Sequence, residues 1–210
     1  MSGWVSFDCY GTLVDWEAGM TGALAGLDDI PAVLAAYHEA EPRIEAGPFL
    51  RYREVMARAL AQAGVAPGMQ DAFGRTLPAW PVFADVATTL TRLREDGRRL
   101  AILSNVDRDL IAGTLPRLGA EIDLVVTAED VRSYKPARGH FDRMREEAGE
   151  APWVHVACSA FHDIPPARAA GARTVWVRRH QPGPAPENAD AVVEGIAELP
   201  SLVARLTRGA

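Results

Sequence analysis

Asp8 is the residue whose surroundings best suit a nucleophile. It follows the apolar run Trp4–Phe7 and precedes Gly11 and Thr12. A tight turn there can expose a carboxylate and aim backbone N–H groups at a ligand. The same position also suits an aspartate that only caps its own loop. Three further sets of polar residues follow apolar runs: Ser104 and Asn105, then Lys135 with Pro136, then Cys158, Ser159, His162 and Asp163. Lys135 could hold Asp8 ionised and attract an anionic substrate, or stand in solvent at a helix start. Ser104 and Asn105 could hydrogen-bond a carboxylate, a phosphate or a developing oxyanion, or cap a helix that begins near Asp107. Asp163 could orient Lys135, bind a cation or position water, or cap the helix that carries Pro165 and Pro166. Any one of these is weak by itself; four in order at four strand ends argue for one crevice.

The elements that must position them follow from the hydrophobic pattern. Short β-rich runs with little polar alternation occur at Trp4–Phe7, Leu100–Leu103, Leu124–Thr127, Val154–Ala157, Thr174–Val177 and Ala191–Val193. Such runs are expected of strands buried on both faces. Helical spacing lies between them: Val86, Leu90 and Leu93 share one face of 84–96, and Leu199, Leu202, Val203 and Leu206 another. This alternation predicts an α/β fold with a Rossmann-like parallel sheet, in which ligands bind outside the carboxyl ends of the strands. The stretch 15–80 breaks the rhythm and reads as helices only. Tyr52, Val55, Met56, Ala59, Leu60 and Ala63 form its apolar stripe. We therefore expect a core of residues 1–14 and 81–210 with a helical insert of 15–80. His180–Ala189, rich in Pro and Gly, is expected to be an exposed loop.

Bulk properties narrow the partners. A formal net charge of −6 supplies no excess of cations for a phosphate backbone, which argues against nucleic acid. The apolar runs fall short of the roughly 20 residues a membrane span needs, and the segment MSGWVSFD does not resemble a signal peptide. The two cysteines, Cys9 and Cys158, make no CxxC pair. A disulfide scaffold is thereby excluded, and a reducing cytoplasm is the expected setting. Both thiols are expected to pack beside the crevice. His162 is expected to line the site, and Trp16 and Trp80 to pack where the insert joins the core.

FDCYGTLVDW at Phe7–Trp16 resembles the first motif of the haloacid dehalogenase (HAD) superfamily. Ser104-Asn105 resembles the second motif, Lys135-Pro136 the third, and Asp163 with its Pro-Ala-Arg-Ala-Ala-Gly run the fourth. The insert sits where this family places a helical cap. The resemblance implies Asp8 as covalent nucleophile and Thr12 as its holder. It implies that Ser104 and the loop backbone bind a substrate carboxylate, that Asn105 faces a leaving halide, that Lys135 balances charge, and that Asp163 assists hydrolysis. The partner implied is a small anionic substrate, no cofactor is implied, and related dehalogenases are often dimers.

Position 10 separates the subfamilies. Phosphatases of the superfamily carry an acid two residues after the nucleophile to protonate a leaving alkoxide; here Tyr10 stands there. A phenol with a pKa of about 10 is a poor substitute for a carboxylic acid near 4, whereas a halide needs no proton. The sequence therefore resembles the L-2-haloacid dehalogenases more closely, with Tyr10 at the substrate. Phosphatases also carry a magnesium-binding aspartate where Cys158 stands, and a thiol is a poor ligand for a hard cation. Other positions depart from the dehalogenases. The family's cap arginine falls near Val33, and Arg43, Arg51 and Arg53 do not match it. Cys158, Ala160 and Phe141 replace a serine, an asparagine and a tyrosine. Two alternatives stay open: a phosphatase with Mg2+ at Asp8 and Asp163, and a binding protein that has lost turnover.

Overall fold

The structure, a computed structural model, describes residues 3–179 and 183–208. In chain order, β1 is Trp4–Phe7, followed by helices α1 (Trp16–Ala23), α2 (Ile30–Glu45), α3 (Tyr52–Gln62) and α4 (Ala72–Thr76). Then come α5 (Val86–Glu95), β2 (Arg99–Ser104), α6 (Arg108–Thr114), β3 (Leu124–Thr127), α7 (Ala128–Val131) and α8 (Gly139–Ala148). The chain continues with β4 (Trp153–Ala157), α9 (Ile164–Ala169), β5 (Arg173–Val177), β6 (Ala191–Val193) and α10 (Leu199–Leu206). All six expected strands form, within a residue of the bounds read from the sequence.

The strands make one sheet in the order β3-β2-β1-β4-β5-β6, with every pairing parallel. β1 is central, with Phe7 in register with Ile102 on one side and Val156 on the other. The strand order turns about β1, so the crevice at its carboxyl end is the switch point where ligands bind in such sheets. The two-residue repeat of a strand divides β1 between two apolar layers. Val5 and Phe7 join the layer that continues into the insert through Tyr37, Val55, Met56, Leu60 and Phe73. Trp4 joins the opposite layer with Leu103, Phe141, Met144 and Trp153. Burying a side chain such as Phe7 stabilises the sheet by about 1.5–3 kcal/mol.

The insert begins and ends at the sheet edge. Val14 bridges to Val82, and the Asp15 N–H donates to the Pro81 carbonyl at 2.7 Å, which closes its two ends together. Asp15 caps α1 by accepting from the Ala18 N–H at 3.0 Å, and Asp29 caps α2 by accepting from the Ala32 N–H at 3.1 Å. Trp16 and Trp80 meet edge to face at this junction, ring centroids 5.1 Å apart, as expected. α3 has no cap of its own. Asp107, in the core, supplies it, accepting from the backbone N–H groups of Tyr52 at 2.8 Å and Arg53 at 2.9 Å. No helix among the described residues is long and apolar enough to cross a membrane. The loop expected at His180–Ala189 falls partly on 180–182, outside the described residues; the remainder forms neither helix nor strand.

Candidate active site

β1 ends at Phe7 and delivers Asp8 into a turn built on one carbonyl. The Cys9 oxygen accepts from the N–H groups of Thr12, Leu13 and Val14 at 3.3, 2.7 and 3.0 Å. Gly11 makes the turn with φ of +95°, and a Cβ there would stand 2.8 Å from the Cys158 sulfur. Glycine satisfies both demands at once. The turn fixes Thr12 so that its Oγ1 donates to Asp8 Oδ2 at 2.8 Å and accepts from the Cys158 N–H at 2.9 Å. Arg179, a residue the sequence reading missed, secures the other side of Thr12. Its Nε and Nη2 donate to the Thr12 carbonyl at 3.2 and 3.0 Å, and its guanidinium pairs with Asp85.

Lys135 reaches the same point from the loop after α7. Its ammonium donates to Asp8 Oδ1 at 2.9 Å, to the Leu103 carbonyl at 2.9 Å and to Asp163 Oδ1 at 2.7 Å. All three of its donors are thereby spent. The lysine is 3% exposed, so it is not a solvated surface residue. The two carboxylates raise its pKa against the opposing pull of burial. Asp163 stands at the N-cap position of α9, yet its side chain makes no cap bond and turns into the site. Burial opposes its ionisation, but Lys135 and His155 overcome that and hold it at about 2. Burial raises the Asp8 carboxyl above its ordinary value, with Lys135 and Thr12 opposing.

A chain of buried polar groups continues behind Asp163. His155 Nε2 lies 3.1 Å from Asp163 Oδ1 and its Nδ1 2.7 Å from Ser6 Oγ, which in turn accepts from Trp153 Nε1 at 2.7 Å. Assigning the Nε2–H tautomer satisfies this chain: His155 donates to Asp163 and accepts from Ser6. The sequence did carry a signal for it. Ser6 and His155 are the polar residues within otherwise apolar strands, and both are fully buried, which demands partners. His140 is held neutral by burial and by Lys135, down to about 4, and its Nε2 bonds the Ser104 carbonyl at 3.0 Å.

These groups open on a cavity of ≈490 Å³, within the range of small-molecule sites. Asp8, Tyr10, Ser104, Asn105, Lys135 and Asp163 all line it, so all the expected site residues converge except Thr12, which sits behind Asp8. Two have committed polar ends. Asn105 Oδ1 accepts from the Lys135 N–H at 2.7 Å, and Tyr10 presents its ring while its hydroxyl bonds Thr114 Oγ1 at 2.8 Å. Burial pushes the Cys158 thiol up to about 12 and raises Cys9 likewise, so neither is a thiolate at neutral pH. His162 lines the cavity as expected, and burial lowers its pKa.

The insert side of the cavity is acidic. α2 turns Glu41 and Glu45 toward it, and Glu17 of α1 joins them. Glu41 Oε1 accepts from the hydroxyls of Tyr37 at 2.7 Å and Tyr52 at 2.5 Å. Burial and the neighbouring Glu41 push Glu45 up to about 8. Arg51 and Arg53 of the insert are engaged elsewhere, both pairing with Asp109 of α6. The residues present do not suit a magnesium ion. Lys135 already occupies the space between Asp8 and Asp163, a protonated thiol stands where an oxygen ligand is wanted, and no group of three His, Cys, Asp or Glu converges for a metal among the described residues.

The parallel sheet wound about β1, with a helical insert after its first strand, defines an α/β protein of HAD-like fold. The chain belongs to the haloacid dehalogenase-like hydrolase family, whose model matches residues 4–171. It is 25% identical to haloacetate dehalogenase H-2 of Moraxella sp. (strain B), across 93% of this chain and 96% of that protein. It is 32% identical to a phosphoserine phosphatase of Thermus thermophilus across 70% of this chain and 60% of that one. Its fold matches that of L-2-haloacid dehalogenase from Xanthobacter autotrophicus with chloropropionic acid covalently bound. The TM-score is 0.80 at 21% identity, covering 97% and 99% of the two chains. The insert accordingly takes the place of the helical cap in that fold.

Proposed function

We propose that the protein is a hydrolase that displaces a halide from C2 of a small 2-halo acid through an ester on Asp8, with residues 15–80 as the cap over the site. The observation that carries this reading is the pairing of Asp8 with Lys135 and Thr12 on the cavity floor, with Tyr10 where an acid for an alkoxide leaving group would stand. Asp8 attacks from behind the carbon–halogen bond; a C–O bond forms as the C–X bond breaks, and the halide departs with the bonding pair. Water then adds to the Asp8 ester carbonyl, and the acyl C–O bond breaks. The products are a 2-hydroxy acid, a proton and the restored carboxylate. Covalent catalysis divides one hard displacement into two easier steps.

Each neighbour has a role in this scheme. Lys135 offsets the Asp8 charge, and Thr12 fixes the direction of its oxygens. Ser104 and the loop backbone receive the substrate carboxylate, and Asn105, held against the Lys135 backbone, borders the leaving group. Asp163, backed by His155, assists the hydrolytic step by positioning the attacking water, whose proton passes to solvent. The test is halide release from 2-halo acids in the presence of chelator, with mass spectrometry of the intact protein. The wild type is expected to carry a substrate-derived adduct on Asp8 that Asp8→Asn lacks. Activity that survives Asp8→Asn unchanged overturns the reading. Magnesium-dependent phosphate release without halide release would favour the phosphatase alternative, for which the 32% identity to a phosphatase speaks.

A further inference from the structure

The cavity is lined by more carboxyl groups than permanent cations. Five carboxyl groups line it (Asp8, Glu17, Glu41, Glu45 and Asp163) against two permanent cations, Lys135 and Arg179. Both cations are already engaged. Lys135 spends its three donors on Asp8, Asp163 and the Leu103 carbonyl. Arg179 spends four of its five on Thr12 and Asp85. On the other side of the account, the Glu45 carboxyl has no hydrogen-bond or ion-pair partner among the described residues, and Glu41 uses only Oε1. Asp163, 1% exposed and on the cavity floor, has an Oδ2 with no hydrogen-bond partner among the described residues. A buried acceptor without a donor is costly unless a ligand supplies one.

The aromatic lining points the same way. Tyr10, Trp16 and Tyr52 face the cavity. Trp16 meets Tyr10 at 6.0 Å and Tyr52 at 6.5 Å between ring centroids, and Tyr52 is itself bonded to Glu41. Aromatic faces beside carboxylates attract cations, quaternary ammonium groups included.

We propose that the cavity accepts a small acid that also bears a cationic nitrogen, with the reacting carbon at Asp8 and the nitrogen held by Glu41 and Glu45 beside Trp16 and Tyr52. This rests on the reading of the site as that of a 2-halo acid hydrolase and names its substrate class. The cavity is then bipolar. The core side, with Ser104 and the strand-end backbone, takes the carboxylate end, and the cap side takes the cation. Glu45 is faced by Glu41 and Tyr37 of α2, by Tyr52 of α3, and by Tyr134 and Lys135 from the core. A cation arriving there stabilises its ionised form, so binding at neutral pH releases a proton and strengthens as pH rises through about 8.

The test uses the full chain and two matched probes: trimethylammoniobutanoate, and the isostere in which tert-butyl replaces trimethylammonium. Calorimetry is expected to show the cationic probe binding about tenfold tighter or better, with proton release when buffers of different ionisation enthalpy are compared. Glu45→Gln is expected to abolish most of that preference. Equal binding of the two probes by the wild type, or a preference for the tert-butyl probe, overturns the proposal without recourse to any variant. The same pair chlorinated at C2 separates the two readings. Chloride release from both at equal kcat/KM leaves the hydrolase and removes the cation site. Selective binding of the cationic probe with no chloride release from either keeps the cation site and removes the hydrolase.

Discussion

Lys135→Met is the perturbation that tests the centre of the site most directly. The ammonium of Lys135 lies 2.9 Å from Asp8 Oδ1 and 2.7 Å from Asp163 Oδ1, so those two oxygens are no more than about 5.6 Å apart. With an effective dielectric of about 20, two charges at that separation repel by about 3 kcal/mol. Methionine replaces the cation with an apolar chain of similar length and leaves both acids buried. Removing one partner of a buried pair costs about 3–5 kcal/mol when the remaining charge stays uncompensated. The variant can escape this cost only by binding a proton. In the wild type, Asp163 is depressed to about 2, so its contribution is present above the ordinary carboxylate pKa and is lost as pH falls through about 2. In the variant both acids sit above their unfolded values, so stability is greatest in acid and falls as pH rises through those raised values. The stability gap between the two proteins must therefore widen from pH 5 to pH 8, by up to about 1.4 kcal/mol per pH unit per proton. Urea unfolding across that range measures it. Turnover should fall roughly 10²–10³-fold, the scale for losing a charge-stabilising group. A gap that stays constant with pH refutes the assignment of Lys135 as the shared counter-charge of Asp8 and Asp163.

Gly11→Ala places a side chain at φ of +95° with its Cβ 2.8 Å from the Cys158 sulfur. It should lower stability by about 1 kcal/mol or more and lower kcat by tilting Asp8, both read from one purified variant by denaturation and halide release. Asp107→Ala removes the carboxylate that caps α3 from the core. A loss of about 1–2 kcal/mol in unfolding is expected, with KM rising more than kcat falls because the cap is less firmly seated. The acid limb of kcat/KM follows the free Asp8 carboxyl, which must be ionised to attack. Because burial raises that pKa, activity should climb with pH through a midpoint above the ordinary carboxylate range. A midpoint at or below that range would show that Asp8 is not the titrating nucleophile.

The parts of this molecule that could be read in advance are those set by local rules. Six apolar runs became six strands because burial on both faces leaves no room for alternation. Asp8, Ser104, Lys135 and Asp163 could be gathered because a parallel sheet delivers every strand end to the same edge. What escaped the reading depends on which chain-distant groups meet. Asp107 entered the sequence reading only as the start of its own helix, yet its carboxylate serves the N-terminus of α3, over 50 residues earlier. Arg51 and Arg53, which do not match the family's arginine in sequence, pair with Asp109 at the same joint, a contact no spacing rule reports. Glu41 and Glu45, one turn apart, must share a face of α2. Whether that face meets solvent or the cavity is decided by how α2 packs on α3, and no spacing rule reports it. That orientation gives the cap side of this cavity its character. On the cap side of the cavity α2 presents two carboxylates, one tied to two phenols and one without a hydrogen bond among the described residues. The displacement chemistry at Asp8 requires nothing from that wall, but the choice of substrate does. A substituent that reaches the cap must satisfy those acids or leave them buried and unpaired, so under the cation proposal the choice of substrate falls to α2.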